Sequence, residues 1–226
     1  MIKDDYILSI ESSDNTCGVA LSQRGLIIAE VNYYGKNLHD RLLAGMCRNL
    51  LSDFNLKFED ISAIAVSAGP GSFTGLRISA ALAKGICFGG DIKLIAVPNL
   101  SAFAYSALVP AVKLNFNKIC VLIKSNNNSS YLQIFNCADF SSGEILLISN
   151  GELNEHLTDD AIYVGSAAME SKSNNVLVHF TKTKAEFIAN LAEKMYQDNN
   201  FVEPSEYEPM YIQNFTPKSS SKVLNI

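Results

Sequence analysis

Three glycines, a proline and two hydroxyl residues fall within seven positions, Gly69-Pro70-Gly71-Ser72-Phe73-Thr74-Gly75. A glycine-rich turn between a strand and a helix presents backbone N–H groups that can cradle a phosphate, aided by the positive end of the helix. No Gly-Lys-Ser/Thr closes the run, so it is not a P-loop. The competing use is a tight turn packed against a neighbour, and glycine spacing alone does not separate the two. Gly69, Gly71 and Ser72, with Ser12 and Ser13 of an earlier hydroxyl turn, are the candidate phosphate contacts. Other reactive residue types are sparse. His39, His156 and His179 are far apart, and no HxxxH on a helix would bring two imidazoles to one face. Glu11 and Asp14 offer a magnesium ion two carboxylates through water, yet two acids near a turn also make a plain solvated loop. Ser72 sits in no G-x-S-x-G elbow and has no identifiable base. Cys17, Cys47, Cys87, Cys120 and Cys137 form no CxxC pair and lie in apolar segments, which reads as reduced, buried thiols of a cytoplasmic protein. The residues thus name no catalytic group, no metal site and no resident cofactor.

The elements that must hold these residues follow from periodicity. Residues 6–11, 16–21 and 26–33 read as three strands joined by tight turns, an antiparallel meander. From Leu38 to Phe54 apolar residues recur at helical spacing and sweep about half the circumference, wider than packing on a sheet requires. Residues 63–68 form a buried strand, the glycine turn follows, and a helix runs from Gly75 to Gly89 with only Arg77 and Lys84 charged. A helix apolar nearly all round needs cover on both sides. Leu42, Leu43, Met46 and Leu50 of the first helix, with Phe73, Leu76, Ser79, Ala80, Ala83 and Cys87 at the second, are therefore the candidate partner interface. Strand 93–97 and a helix from Pro98-Asn99 to Leu108 end a first domain, residues 1–108. A second, 109–201, holds strands at 118–124, 131–138, 144–149, 161–164 and 175–180 and a helix at 182–197. The tail, 202–226, is extended and returns toward the first domain. Both halves open with a strand meander and continue with alternating strands and helices, the plan of a duplicated α/β fold.

With 226 residues the chain can bury a large core. A charged fraction of 18% is below the usual level, which hints at surface covered by a partner. The net charge of −5 argues against a stand-alone nucleic-acid binder. There is no signal-peptide pattern and no apolar stretch long enough to span a bilayer, so no membrane is expected as a partner.

Residues 7–21, His39 with Leu42-Leu43, and above all Ala68-Gly-Pro-Gly-Ser-Phe-Thr-Gly-Leu-Arg-Ile78 resemble the bacterial TsaB family. The likeness covers residues 6–108, thins through the middle and returns at Glu208-Pro209-Met210-Tyr211-Ile212. It implies the two-lobed α/β fold of the actin-like, Hsp70-like and sugar-kinase (ASKHA) superfamily, each lobe a mixed sheet with flanking helices. It further implies a non-catalytic scaffold that pairs with the catalytic TsaD-type subunit and a TsaE-type ATPase. That complex transfers threonylcarbamoyl to adenosine 37 of tRNAs reading ANN codons. By the same resemblance tRNA is met only through the complex and ATP or ADP only in the assembly, while the shared apolar face of the two helices predicts a homodimer of the isolated chain. The departures are Glu11-Ser12-Ser13 where the family has Asp-Thr-Ser, and His39-Asp40-Arg41 where it has His-Ser-Glu/Gln. Ile123-Lys124-Ser125 stands for Asp-Ala-Arg, and Tyr211-Ile212-Gln213 for Tyr-Leu-Arg. The rival readings are a small-molecule kinase or ATPase using its own cleft, marked by release of ADP or phosphate, and a glycopeptidase-like hydrolase. Elemental analysis of untagged protein should find zinc and iron well below stoichiometry; a stoichiometric transition metal on His39 would contradict this.

Overall fold

The computed structural model describes residues 5–125, 128–149 and 151–211. Its first sheet contains β1 (Tyr6–Glu11), β2 (Thr16–Gln23), β3 (Leu26–Tyr34), β4 (Ala63–Ser67) and β5 (Lys93–Val97), in the order β3-β2-β1-β4-β5. The three opening strands are antiparallel, while β1, β4 and β5 run parallel because helices carry the chain between them. These helices are α1 (His39–Asp53), before β4, and α2 (Phe73–Phe88), before β5. The second sheet repeats the plan with one strand fewer: β6 (Lys118–Lys124), β7 (Ser129–Asn136), β8 (Leu146–Ser149) and β9 (Ala161–Val164), ordered β8-β7-β6-β9. Again the meander is antiparallel and the last strand parallel to the first. This is the two-lobed, mixed-sheet architecture that the resemblance implies.

Period-two alternation sorts the strand side chains into separate cores. On one face of the first sheet Leu8, Ile10, Ile64 and Val66 pack with Leu43, Cys47 and Leu51 of α1 and Ala80 and Ala83 of α2. On the other, Ile7, Ala63 and Ala65 join a core that continues into Ile119, Val121 and Val164 of the second sheet. Two helices fill the space between the sheets: α3 (Asn99–Lys113) and α4 (Ala185–Gln197). Phe103 of α3 and Phe187 of α4 meet there at 5.3 Å between ring centroids. One core therefore spans both lobes.

Four sequence expectations are corrected. Helix α2 begins at Phe73, two residues early, because the Ser72 hydroxyl accepts from Gly75 N (3.3 Å) and caps it. Helix α3 continues past Leu108 with Pro110 inside it; the Pro110 carbonyl still accepts from Leu114 N (3.0 Å), which closes the last turn. Residues 175–180 contribute only a bridge at Val176 and a 3-10 turn, Val178–Phe180, instead of a strand. Helix α4, expected with the second lobe, packs against the first sheet through Ala185 and Ala189 on Ala20.

At Gly75 two effects oppose. Helix propensity favours alanine there by about 1 kcal/mol, but an added Cβ would overlap the Ser12 carbonyl oxygen. Steric overlap of backbone on backbone costs more, about 3 kcal/mol. Gly75→Ala should therefore lower the urea midpoint substantially, and a midpoint equal to or above wild type would refute the packing described.

Candidate functional site

The glycine turn connects β4 to α2, and the hydroxyl turn after β1 lies directly on it. Ser72 N donates to the Ser13 carbonyl at 2.6 Å, Ser12 N donates to Ser67 Oγ at 3.2 Å, and Ser12 Oγ donates to the Gly75 carbonyl at 3.0 Å. A Cβ at Gly71 would strike the Ser13 backbone and one at Gly75 the Ser12 carbonyl. Gly69 takes a left-handed φ of +103° with the Met210 carbonyl against it. The absence of side chains thus admits other segments of the chain's own backbone. Of the phosphate candidates, Ser12 and Ser13 are buried and committed to this packing, Gly69 and Gly71 are glycines for steric reasons, and only Ser72 is exposed. The direct contact leaves no room for a phosphate between the two backbones, and a cavity of about 410 Å³ opens beside them, lined by Asp14, Asn15, Lys36, Ser72 and Thr74.

The segment leading into α4 packs against the same edge of the first sheet. Residues leading into α4 pack on β2 and β3, with Thr16 Oγ1 donating to the Thr183 carbonyl at 2.9 Å. The first N–H groups of α4 are answered by β3 side chains, Ala185 N by Asn32 Oδ1 (3.1 Å) and Glu186 N by Glu30 Oε1 (2.7 Å). A helix N-terminus suited to an anion thus already holds a carboxylate. Glu11, at the end of β1, is 2% exposed and accepts from both the N–H and the hydroxyl of Ser13 through one oxygen. Burial pushes its carboxyl up to about 7, against the opposing pull of the Ser13 hydrogen bonds and with a small further rise from Asp14. A carboxyl so placed is no ready magnesium ligand. His39 is buried, and its Nε2 lies 3.0 Å from the Thr16 carbonyl, to which it donates. Among the described residues no three His, Cys, Asp or Glu side chains gather as metal ligands, and no helix is long and apolar enough to cross a membrane.

The partner-interface expectation needs the larger correction. Leu43, Met46, Leu50, Leu76, Ser79, Ala80, Ala83 and Cys87 are all buried by this chain's own lobe. The small residues of α2 let that helix approach its own sheet and α1 closely, so they face inward. Leu42 is half-buried; Phe73 is half-buried beneath the Arg77 guanidinium, 3.8 Å from its ring centroid. The open side of α2 carries Ile78, Ala81, Leu82, Gly85, Ile86 and Phe88, the last 95% exposed. A groove of about 610 Å³ runs there between Leu82, Gly85 and Ile86 and the turn at Phe58. Two helix-interior glycines, Gly45 of α1 and Gly85 of α2, have nothing within 4 Å of where a Cβ would stand. Mid-helix glycine costs about 1 kcal/mol relative to alanine, and none of the described residues requires it at either site.

Two residues that sequence reasoning missed hold the region together. Asn99, first in α3, accepts from Gly69 N (3.2 Å) and donates to the Pro70 carbonyl (3.1 Å), fixing the glycine turn from behind. Its signal was only the Pro98-Asn99 start of a helix. Tyr211 stacks 4.9 Å from Phe73 and its hydroxyl accepts from Arg77 Nε at 3.2 Å, while Met210 N donates to the Ala68 carbonyl at 2.7 Å. Val202 bridges to Leu94, so residues 202–211 run along the first lobe. Among the family departures, Ile212 and Gln213 lie outside the described residues, as does the rest of the tail. Lys124 pairs with Glu170 at 2.9 Å, and Asp40 is exposed in the first turn of α1.

A family model described as "TsaD: tRNA N6-adenosine threonylcarbamoyltransferase" matches residues 28–146. The tRNA threonylcarbamoyladenosine biosynthesis protein TsaB of Haemophilus influenzae is 25% identical over 222 residues, 92% of this chain and 93% of that protein. The tRNA N6-adenosine threonylcarbamoyltransferase of Granulibacter bethesdensis is 33% identical over 122 residues, 47% of this chain and 33% of that protein. The solved structure of YeaZ from Pseudomonas aeruginosa superposes with a TM-score of 0.76 at 19% identity, over 92% of this chain and all of that one, a likeness of fold.

Glu11 gives the junction a pH signature. Its carboxyl is raised from 4.5 to about 7, so the fold favours the neutral form. The stability this contributes is complete below pH 4.5 and is lost as pH rises through 7, a decline of about 3 kcal/mol. Glu11→Gln should flatten that decline in denaturant titrations between these pH values. An equally steep decline in the variant would show that Glu11 is not its source.

Proposed function

This chain belongs to the TsaD family, in its TsaB branch, and from that premise we propose that it is the non-catalytic subunit of a tRNA-modifying assembly. Its partner is a TsaD-type paralogue, which carries the chemistry of threonylcarbamoyl transfer to adenosine, with a TsaE-type ATPase joining the pair. ATP or ADP and tRNA belong to that assembly, and in isolation two copies of this chain pair through the same face. The observation that carries the reading is the open side of α2, where Gly85 stands in empty space beside Ile78, Ala81, Leu82 and Phe88. An uncovered apolar stripe on a soluble chain, interrupted by a glycine that only an approaching backbone would need, suits a helix from another α/β lobe. The cytoplasm is the compartment such an assembly requires, and the buried thiols of Cys17, Cys47, Cys87 and Cys120 accord with it.

The non-catalytic part of the proposal rests on the chain's own cleft. Ser12 and Ser13 are spent on packing, Glu30 and Asn32 occupy the start of α4, and Glu11 is turned into its own hairpin. A kinase or ATPase would need these groups free for phosphate and metal.

Gly85→Leu tests the docking face, because its side chain has room in the isolated chain. Circular dichroism and thermal unfolding should match wild type, while co-elution with the TsaD counterpart of the same genome, and tRNA threonylcarbamoylation by the mixture with TsaE, are lost. Ala83→Asp should instead unfold the chain, since Ala83 is fully buried within it and a buried unpaired charge costs several kcal/mol. Full assembly by Gly85→Leu would place the partner surface elsewhere. Phosphate release from ATP by this chain alone would favour the kinase or ATPase reading.

A further inference from the structure

A second cavity, of about 780 Å³, lies far from the glycine turn, where α3 and α4 meet the β2–β3 turn. That turn sits at the beginning of β1, since Arg24 N donates to the Asp5 carbonyl, whereas the glycine turn follows the end of the parallel strand β4. Ile27, Leu108 and Val109 give the cavity aliphatic walls. Tyr105 and Phe140 add an edge-to-face aromatic pair, 5.7 Å between centroids. Phe140 reaches this position at a φ of +58°, in the left-handed region that bulky residues avoid. The polar end is different in kind. Ser22 is 1% exposed, and among the described residues its hydroxyl has no hydrogen-bond partner; Glu193 Oε2 is likewise buried and unpartnered among them. Glu193 Oε1 accepts from Gln197 Nε2, at 3.2 Å. Lys194, the one cation among the lining residues, is paired with Asp198 at 2.9 Å.

Buried polar atoms without partners are rare enough to require a reason. Here two of them, one on a carboxylate, line the same aromatic and aliphatic cavity, of a size usual for small-molecule sites. Aromatic faces beside a carboxylate form the environment that an organic cation prefers. We propose that this cavity binds a small aromatic ammonium ion, whose N–H groups donate to Glu193 and Ser22 while its ring lies against Phe140 and Leu108. The proposal is independent of the partner face and the cleft.

Calorimetric titration of the full chain with 2-phenylethylammonium, and separately with the neutral isostere 2-phenylethanol, tests it. The amine should bind saturably at one site and at least ~10-fold more tightly than the alcohol. Glu193→Gln should bring the two to similar affinity with an unchanged circular dichroism spectrum. Val109→Trp, at an exposed position on the rim, should weaken both ligands without endangering the fold, and so serves if Glu193→Gln does not fold. Equal affinity of wild type for amine and alcohol, no saturable heat from the amine, or an amine affinity untouched by either folded variant would overturn the assignment.

Discussion

The structure depends on one backbone-to-backbone contact, between the hydroxyl turn after β1 and the glycine turn after β4. Ser72 N reaches the Ser13 carbonyl, and Gly71 and Gly75 have no Cβ because the Ser12–Ser13 backbone occupies that space. Two neighbouring parallel strands, β1 and β4, aim both turns at the same point, and only glycine lets them meet there. The contact sets the start of α2. It also sets the direction in which that helix crosses the sheet, and hence which of its sides is left open. Asn99 from α3 and Met210 from the tail bond to the glycine turn and the residue before it, so three distant segments fix one loop.

The two lobes share their central layer. With α3 and α4 between the sheets, a single apolar core runs from Ile7 and Ala65 through Phe103 and Phe187 to Val121 and Val164. Opening one lobe against the other would expose that core to water, which the hydrophobic effect opposes strongly. The side-chain caps from Glu30 and Asn32 to the first N–H groups of α4 reinforce the closure with hydrogen bonds at the rim. The hydroxyl turn and the start of α4 are spent on internal contacts, while one side of α2 is only partly covered.

Much of this was determined by the sequence alone. The meander, the βαβ connections and the second lobe's repetition of that plan follow from residue periodicity, because a strand buried on both faces and a helix with an apolar stripe have local signatures. The run from Ala68 to Ile78 also carried most of the family resemblance. Which side of α2 faces out did not follow. Leu76, Ala80, Ala83 and Cys87 make one apolar stripe and Ile78, Leu82 and Ile86 another, and a helix apolar all round has no periodicity that separates them. The tertiary structure decided it: the first stripe fits the close approach to α1 and the sheet, and Ile78, Leu82 and Ile86 touch the core only in part, leaving their outer surfaces to solvent. The glycine turn is the same case. Its composition announced that something approaches the backbone closely, but whether a phosphate or another turn of the chain comes so near depends on where β1 ends relative to β4, a distance set by sheet register and absent from the local sequence.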